Sequence, residues 1–176
     1  MKKIRAIIPV IGLLLLSYTG GAQRPCSDSI YRYFDFWLGE WEAFGKNGQK
    51  AGDSRITAIL DSCIILEEWT GIAAKNGFRY AGKSFNTYNA NVEQWQQTWV
   101  DNAGGSTHYT QGKAEKGKLE FLTGPFPINS DTMAIRRLSF FSLTGDRVRQ
   151  LGEISKDSGK SWLVEYDLEY RRRSHQ

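Results

Sequence analysis

Phe34-Asp35-Phe36-Trp37-Leu38-Gly39-Glu40-Trp41 is the stretch that governs the reading of this chain. Five of its eight residues are large and apolar, too many for a solvated loop. Its closing Gly39-Glu40-Trp41 marks the start of a first β-strand, with Trp41 as a structural plug at one end of whatever that strand builds. Upstream, Asp28 to Trp37 can form only a short helix or plug.

Downstream of Trp41 the chain reads as strands separated by turn signals, with no convincing helix. The turns are Gly45-Lys46-Asn47-Gly48, Lys75-Asn76-Gly77, Asn89-Ala90-Asn91, Asp101-Asn102-Ala103-Gly104-Gly105, Glu115-Lys116-Gly117, Thr144-Gly145-Asp146 and Asp157-Ser158-Gly159. Gly and Asn tolerate the positive φ that tight hairpins demand. About ten β-rich runs lie between them, at 40–45, 52–60, 63–72, 78–88, 94–101, 106–114, 118–123, 133–144, 147–155 and 162–171. Regular hairpin spacing predicts an all-β fold, an up-and-down antiparallel barrel, whose closure removes the exposed edges of a meander. Pro125 and Pro127 mark the one long irregular connection.

Alternation sorts the faces of these strands, because residues i and i+2 share a side. Glu67 and Trp69 share one face of 63–72, and Trp95, Gln97 and Trp99 share one face of 94–101. Bulky indoles belong inside a barrel, so these five point inward, joined by Ser84 and Asn86 of 78–88. Arg79, Ala81, Lys83, Phe85 and Thr87 form the outer wall of that strand. The interior is then an aromatic cup studded with hydrogen-bonding groups, the mixture that small-ligand pockets use. A buried Glu67 must be paired or protonated, and Arg136 or Arg137 is a candidate partner in a filled core.

Four pieces carry a resemblance: Phe34 to Trp41, Glu67-Glu68-Trp69 after Cys63, Gly82-Lys83-Ser84-Phe85-Asn86, and Trp95-Gln96-Gln97-Thr98-Trp99-Val100-Asp101. Together they resemble uncharacterised exported bacterial domains of unknown function with lipocalin-like, or calycin-like, barrels. The resemblance covers most of the chain after its first 22 residues and implies the barrel fold; it implies no established activity and no catalytic residues. Ser155 to Trp162 is similar to the Asp-box hairpin of sialidase propellers. A single box on a short domain reads as a turn staple, with Asp157 accepting from turn amides and Gly159 permitting the bend. Haem-binding relatives of this barrel class hold iron with a histidine. Here His108 follows a glycine-rich turn and His175 lies in the tail, so no haem or other cofactor is expected.

The expected organisation is a signal peptide over 1–22, an N-terminal segment or plug over 23–38, the barrel over 39–173 and a tail over 174–176. Lys2, Lys3 and Arg5 precede an apolar run from Ala6 to Leu16, and Gly20-Gly21-Ala22 supplies small residues for cleavage after Ala22. Removal of 22 residues leaves 154 and lowers the formal charge from +4 to +1, because three basic residues depart. The remaining chain is expected to be periplasmic or extracellular, without a membrane span, as a monomer or weak oligomer. In an oxidising compartment Cys26 and Cys63 are expected to form a disulfide. Two distant cysteines and two histidines give no metal-ligand spacing. Basic residues interleaved with aromatics are lacking, which excludes a nucleic-acid partner.

Two further function classes stand beside interior binding of a small ligand. Glu67 and Asp101 on neighbouring inward faces offer a weak acid/base pair for an enzyme acting on a carbohydrate or small metabolite. An envelope interaction module would instead need a contiguous exposed apolar patch.

Overall fold

A computed structural model describes residues 24–173 except 73 and 75. The expected signal peptide over 1–22, its expected cleavage site and the tail with His175 lie outside the described residues. Two short 3₁₀ helices, Ser29–Arg32 and Asp35–Trp37, precede eleven strands. These are β1 (Gly39–Gly45), β2 (Lys50–Ile59), β3 (Ile64–Gly71), β4 (Ala81–Asn89), β5 (Gln94–Asp101), β6 (Ser106–Glu115), β7 (Lys118–Thr123), β8 (Phe126–Pro127), β9 (Met133–Leu143), β10 (Arg147–Ser155) and β11 (Leu163–Arg172).

Ten of the strands close into one antiparallel up-and-down barrel. Successive strands pair from β1 to β7, β7 pairs with β9, and β11 pairs with both β10 and β1. The two-residue β8 stands outside the ring and pairs only with the start of β9. All expected strand runs are present, shifted at their ends by a few residues. The largest shift is at β4, which starts at Ala81 rather than 78 because Phe78 belongs to the turn: its amide is taken by Asn76 Oδ1 and its carbonyl by the Ala74 amide.

The end of the barrel where β1 begins is sealed. Phe34 and Trp37 insert between the strands and meet Trp41, Trp95, Phe121, Phe140 and Tyr170 in one buried cluster. Phe34 stacks on Trp37 at 5.0 Å between centroids, and Trp37 lies 4.5 Å from Phe140. A fully buried aromatic side chain contributes on the order of 4–6 kcal/mol by area removed from water, so this plug is the main hydrophobic core. Trp41 is the expected structural plug: its Nε1 donates to Trp37 O at 2.8 Å, and the Arg172 guanidinium lies over its ring at 4.1 Å. Gly39, at φ +128°, allows this, since a Cβ there would collide with Arg172. The Asp28 carboxylate caps the first 3₁₀ helix by accepting from the Ile30 amide at 3.0 Å. Cys26 and Cys63 form a disulfide that ties the plug to the β2–β3 turn.

At the opposite end lie the β1–β2, β3–β4, β5–β6, β7–β9 and β10–β11 connections. The last is the Asp-box-like turn, and it is the staple the sequence predicts. Asp157 Oδ1 accepts from the Ser161 amide at 2.9 Å and Ser155 Oγ accepts from the Gly159 amide at 2.8 Å. Donation from Ser161 lowers the Asp157 pKa to about 2. Trp162 packs against the Arg137 guanidinium at 4.1 Å.

Candidate functional site

Register places the polar interior on neighbouring strands. Glu67 of β3 stands opposite Ser84 of β4, Ser84 opposite Trp99 of β5, and Asn86 opposite Gln97. Barrel closure brings β11 beside β1, and Tyr170 reaches the same point from the far side. The result is a directional chain of hydrogen bonds. Gln97 Nε2 donates to Asn86 Oδ1 at 2.6 Å; Asn86 Nδ2 donates to Ile65 O and to Ser84 Oγ, both at 2.9 Å. Ser84 Oγ is thereby left to donate to Glu67 Oε2 at 3.0 Å. On the other oxygen, Ser54 Oγ donates to Glu67 Oε1 at 2.9 Å. The Tyr170 hydroxyl lies 3.3 Å from Glu67 Oε1 and 2.6 Å from Gln150 Oε1. Having one hydrogen, it serves the nearer acceptor, Gln150.

Glu67 is only 2% exposed and meets hydroxyls rather than a cation. Arg136 and Arg137, its candidate partners in a filled core, are engaged elsewhere: Arg136 with Glu165 at 2.9 and 3.1 Å, Arg137 with Glu153 at 2.8 Å. Burial raises the Glu67 pKa to about 7, against the opposing pull of the Ser54 and Ser84 hydroxyls. The same burial raises the Tyr170 hydroxyl well above its ordinary range.

Between this network and the open end lies a cavity of about 560 Å³, within the range of about 300–1,000 Å³ typical of small-molecule sites. Of the residues expected inside, Glu67, Trp69, Gln97 and Trp99 line it, and Asp101 does so at the rim. Ser84 and Asn86 are fully buried behind the lining, as supports of Glu67 and Gln97. Trp95 also points inward but lies in the plug against Phe34, at 6.0 Å between centroids, and does not line the cavity.

Space remains because aromatic rings lie against the wall over glycines. A Cβ on Gly52 would strike the Trp69 ring, one on Gly82 the Trp99 ring, and one on Gly152 the Tyr166 ring. At the rim, Asp101 Oδ1 accepts from the Ala103 and Gly105 amides, both at 2.9 Å. Its Oδ2 accepts from the Tyr80 hydroxyl at 2.9 Å and from Trp99 Nε1 at 3.2 Å. The Gly105 amide leads the causes that lower the Asp101 pKa. Glu67 and Asp101 therefore face one cavity with proton affinities displaced in opposite directions.

Apart from Arg136 of β9, named as an internal arginine, sequence reasoning missed the far wall: Tyr109 of β6, Leu138 of β9, Gln150 of β10, and Glu165, Tyr166, Leu168 and Tyr170 of β11. Alternation could have found Tyr166, Leu168 and Tyr170 together. Glu165 obeys no such rule. It is the extra residue where Gly152 pairs with Tyr166 but Glu153 pairs with Val164, and that bulge turns its side chain inward. Exposed apolar residues gather on the mouth connections and adjoining strand ends, with Ile72, Phe78, Ile128, Met133, Leu163 and Val164 all more than a third exposed. Among the described residues no helix is long and apolar enough to cross a membrane. A scan against protein-family models and a search of curated proteins each returned no match for this chain.

Proposed function

We propose that this protein is an exported, lipocalin-like barrel that binds a small, partly polar ligand in its interior. The observation that carries this reading is an open cavity whose deep wall holds polar atoms facing it without a protein partner. Among the described residues, no group bonds Gln97 Oε1 or Gln150 Nε2, although both side chains are anchored at their other atom. Trp69 and Trp99 supply flat apolar surface that suits a ligand with an apolar body, and Glu67, Gln97 and Gln150 supply direction. Export is supported by the leader-like composition of residues 1–22 and by the disulfide, since disulfides persist in oxidising compartments. The resemblance to lipocalin-like exported domains agrees with the closed barrel.

Tryptophan fluorescence titrated with a metabolite and glycan panel tests the reading, because Trp69 and Trp99 flank the cavity. A saturable change that disappears in Thr107→Trp, which places a ring in the lining, is the expected result. A panel without response, or one to which Thr107→Trp responds like the parent, contradicts it.

The opposed proton affinities of Glu67 and Asp101 favour one second reading, an acid/base enzyme acting on a carbohydrate or small metabolite. Binding ranks first because both Asp101 oxygens are already occupied by rim donors. Turnover of p-nitrophenyl glycosides that is lost in both Glu67→Gln and Asp101→Asn would establish the enzyme. Absence of turnover across the series would sink it.

A further inference from the structure

We propose that the ligand class of this cavity is a protonated amine carrying an apolar or aromatic body, with the ammonium group seated against Glu67 and Gln97. The inference rests on the interior-binding reading and deepens it. Charge is the first argument. Among the described residues, three carboxyl groups, Glu67, Asp101 and Glu165, line the cavity against a single guanidinium, that of Arg136. Arg136 is occupied by both oxygens of Glu165, so among the described residues the lining keeps no free cation to receive an anionic ligand. The balance left for a ligand is negative.

Hydrogen bonding is the second argument. Gln97 is 3% exposed, and its Nε2 is fixed by Asn86, which turns Oε1 toward the cavity as an acceptor. Glu67 stands on the adjoining face of the same wall, its oxygens accepting from hydroxyls on the side away from the lumen. Two acceptors, one of them a carboxyl, call for a ligand donor with several hydrogens and a positive charge. The third argument is the walls. Trp69 and Trp99 lie against Gly52 and Gly82, which leaves the outer face of each indole toward the lumen, where a cation and an apolar body both find favourable contact.

Protonation follows from this placement. Glu67 holds a proton as the pH falls below about 7, through burial. The other titratable groups facing the cavity are Tyr166, Tyr170 and Glu165 of β11, Tyr109 of β6, Arg136 of β9, Asp101 of β5 and Tyr80 ahead of β4. Burial holds Tyr109 up at about 12 and Tyr170 well above its ordinary range, so both stay neutral. Glu165 and Arg136 neutralise each other, and Asp101 stays ionised under its rim donors. Glu67 is left as the group whose charge changes near neutrality. An ammonium seated beside it displaces its proton to solvent, so affinity for the amine rises with pH by up to about ten-fold per unit below about pH 7 and then levels.

Titration calorimetry of the exported chain with 2-phenylethylamine, 2-phenylethanol and phenylacetate tests this, because the three share one body and differ in charge. At about pH 8 the amine should bind at least about ten-fold more tightly than either analogue, an advantage that shrinks by about pH 5.5 and is absent in Glu67→Gln. A second measurement needs no variant: heats taken near pH 6, where Glu67 is still mostly protonated, in buffers of different ionisation enthalpy should report close to one proton released on binding the amine and none on binding the alcohol. Equal affinity for the alcohol, or preference for phenylacetate, overturns the amine assignment and leaves interior binding standing. The assignment also fails if none of the three binds while the neutral dye N-phenyl-1-naphthylamine does. Failure of the dye as well counts against the interior-binding reading itself.

Discussion

A carboxyl group met only by hydroxyls inside a barrel ties the stability of the fold to pH. The Glu67 pKa is raised from 4.5 to about 7 in the folded protein. Between those values the folded state holds a proton that the unfolded chain has released. The stabilising contribution is therefore complete below 4.5 and is lost as the pH rises through about 7. Urea denaturation at about pH 4.5 and about pH 8 should show the parent losing on the order of 3 kcal/mol more than Glu67→Gln across that interval. Parallel pH profiles for the two proteins would contradict the burial of an uncompensated carboxyl. Tyr170→Phe removes the donor to Gln150, and a loss of about 1–3 kcal/mol in the same assay is expected. Alternation made Glu67, Gln97 and Trp99 legible as interior residues, since each lies two positions from another inward side chain. That Ser54 and Tyr170 would meet Glu67 was not legible. The Tyr170 contact spans 103 positions and exists only because β11 returns to β1.

Pairs of glycine and aromatic residues on neighbouring strands decide whether the interior is open. A methyl group on Gly82 collides with the Trp99 ring and with the Val100 carbonyl, so the ring must swing toward the lumen. Gly82→Ala is expected to weaken ligand or dye binding by about ten-fold or more, about 1.4 kcal/mol, as read by fluorescence titration. Gly124→Ala meets open space at an ordinary φ and should leave binding unchanged. The plug element depends on its covalent tie. The disulfide closes a separation of 37 residues, for which the chain-entropy estimate is about 4 kcal/mol. Cys26→Ser with Cys63→Ser should lower unfolding stability by about that amount in urea; an unchanged midpoint would place the hold on the plug in its aromatics alone. Turn residues made nearly every strand legible, because Gly, Asn and Asp stand where hairpins need them. β8 escaped notice, being two residues long and containing Pro127, which offers no amide to a ladder. Glu165 escaped because a bulge reverses the side that alternation assigns.

For the molecule as a whole, one end is an aromatic seal and the other a mouth, with a negatively biased cavity between them. Composition and periodicity disclose a barrel but not its volume, since inward tryptophans can fill a lumen as readily as line it. Here Trp95 belongs to the seal while Trp69 and Trp99 lie on the cavity wall, a division made by the depth of the Phe34–Trp37 plug along β5. The claim that unites these features is that the barrel encloses an accessible, ligand-sized space. Titration of the neutral dye N-phenyl-1-naphthylamine, with tryptophan excitation and dye emission, measures it directly. One dye per chain with saturable energy transfer, abolished in a folded Thr107→Trp variant, is the predicted result; no saturable transfer, or equal transfer in both proteins, would contradict it.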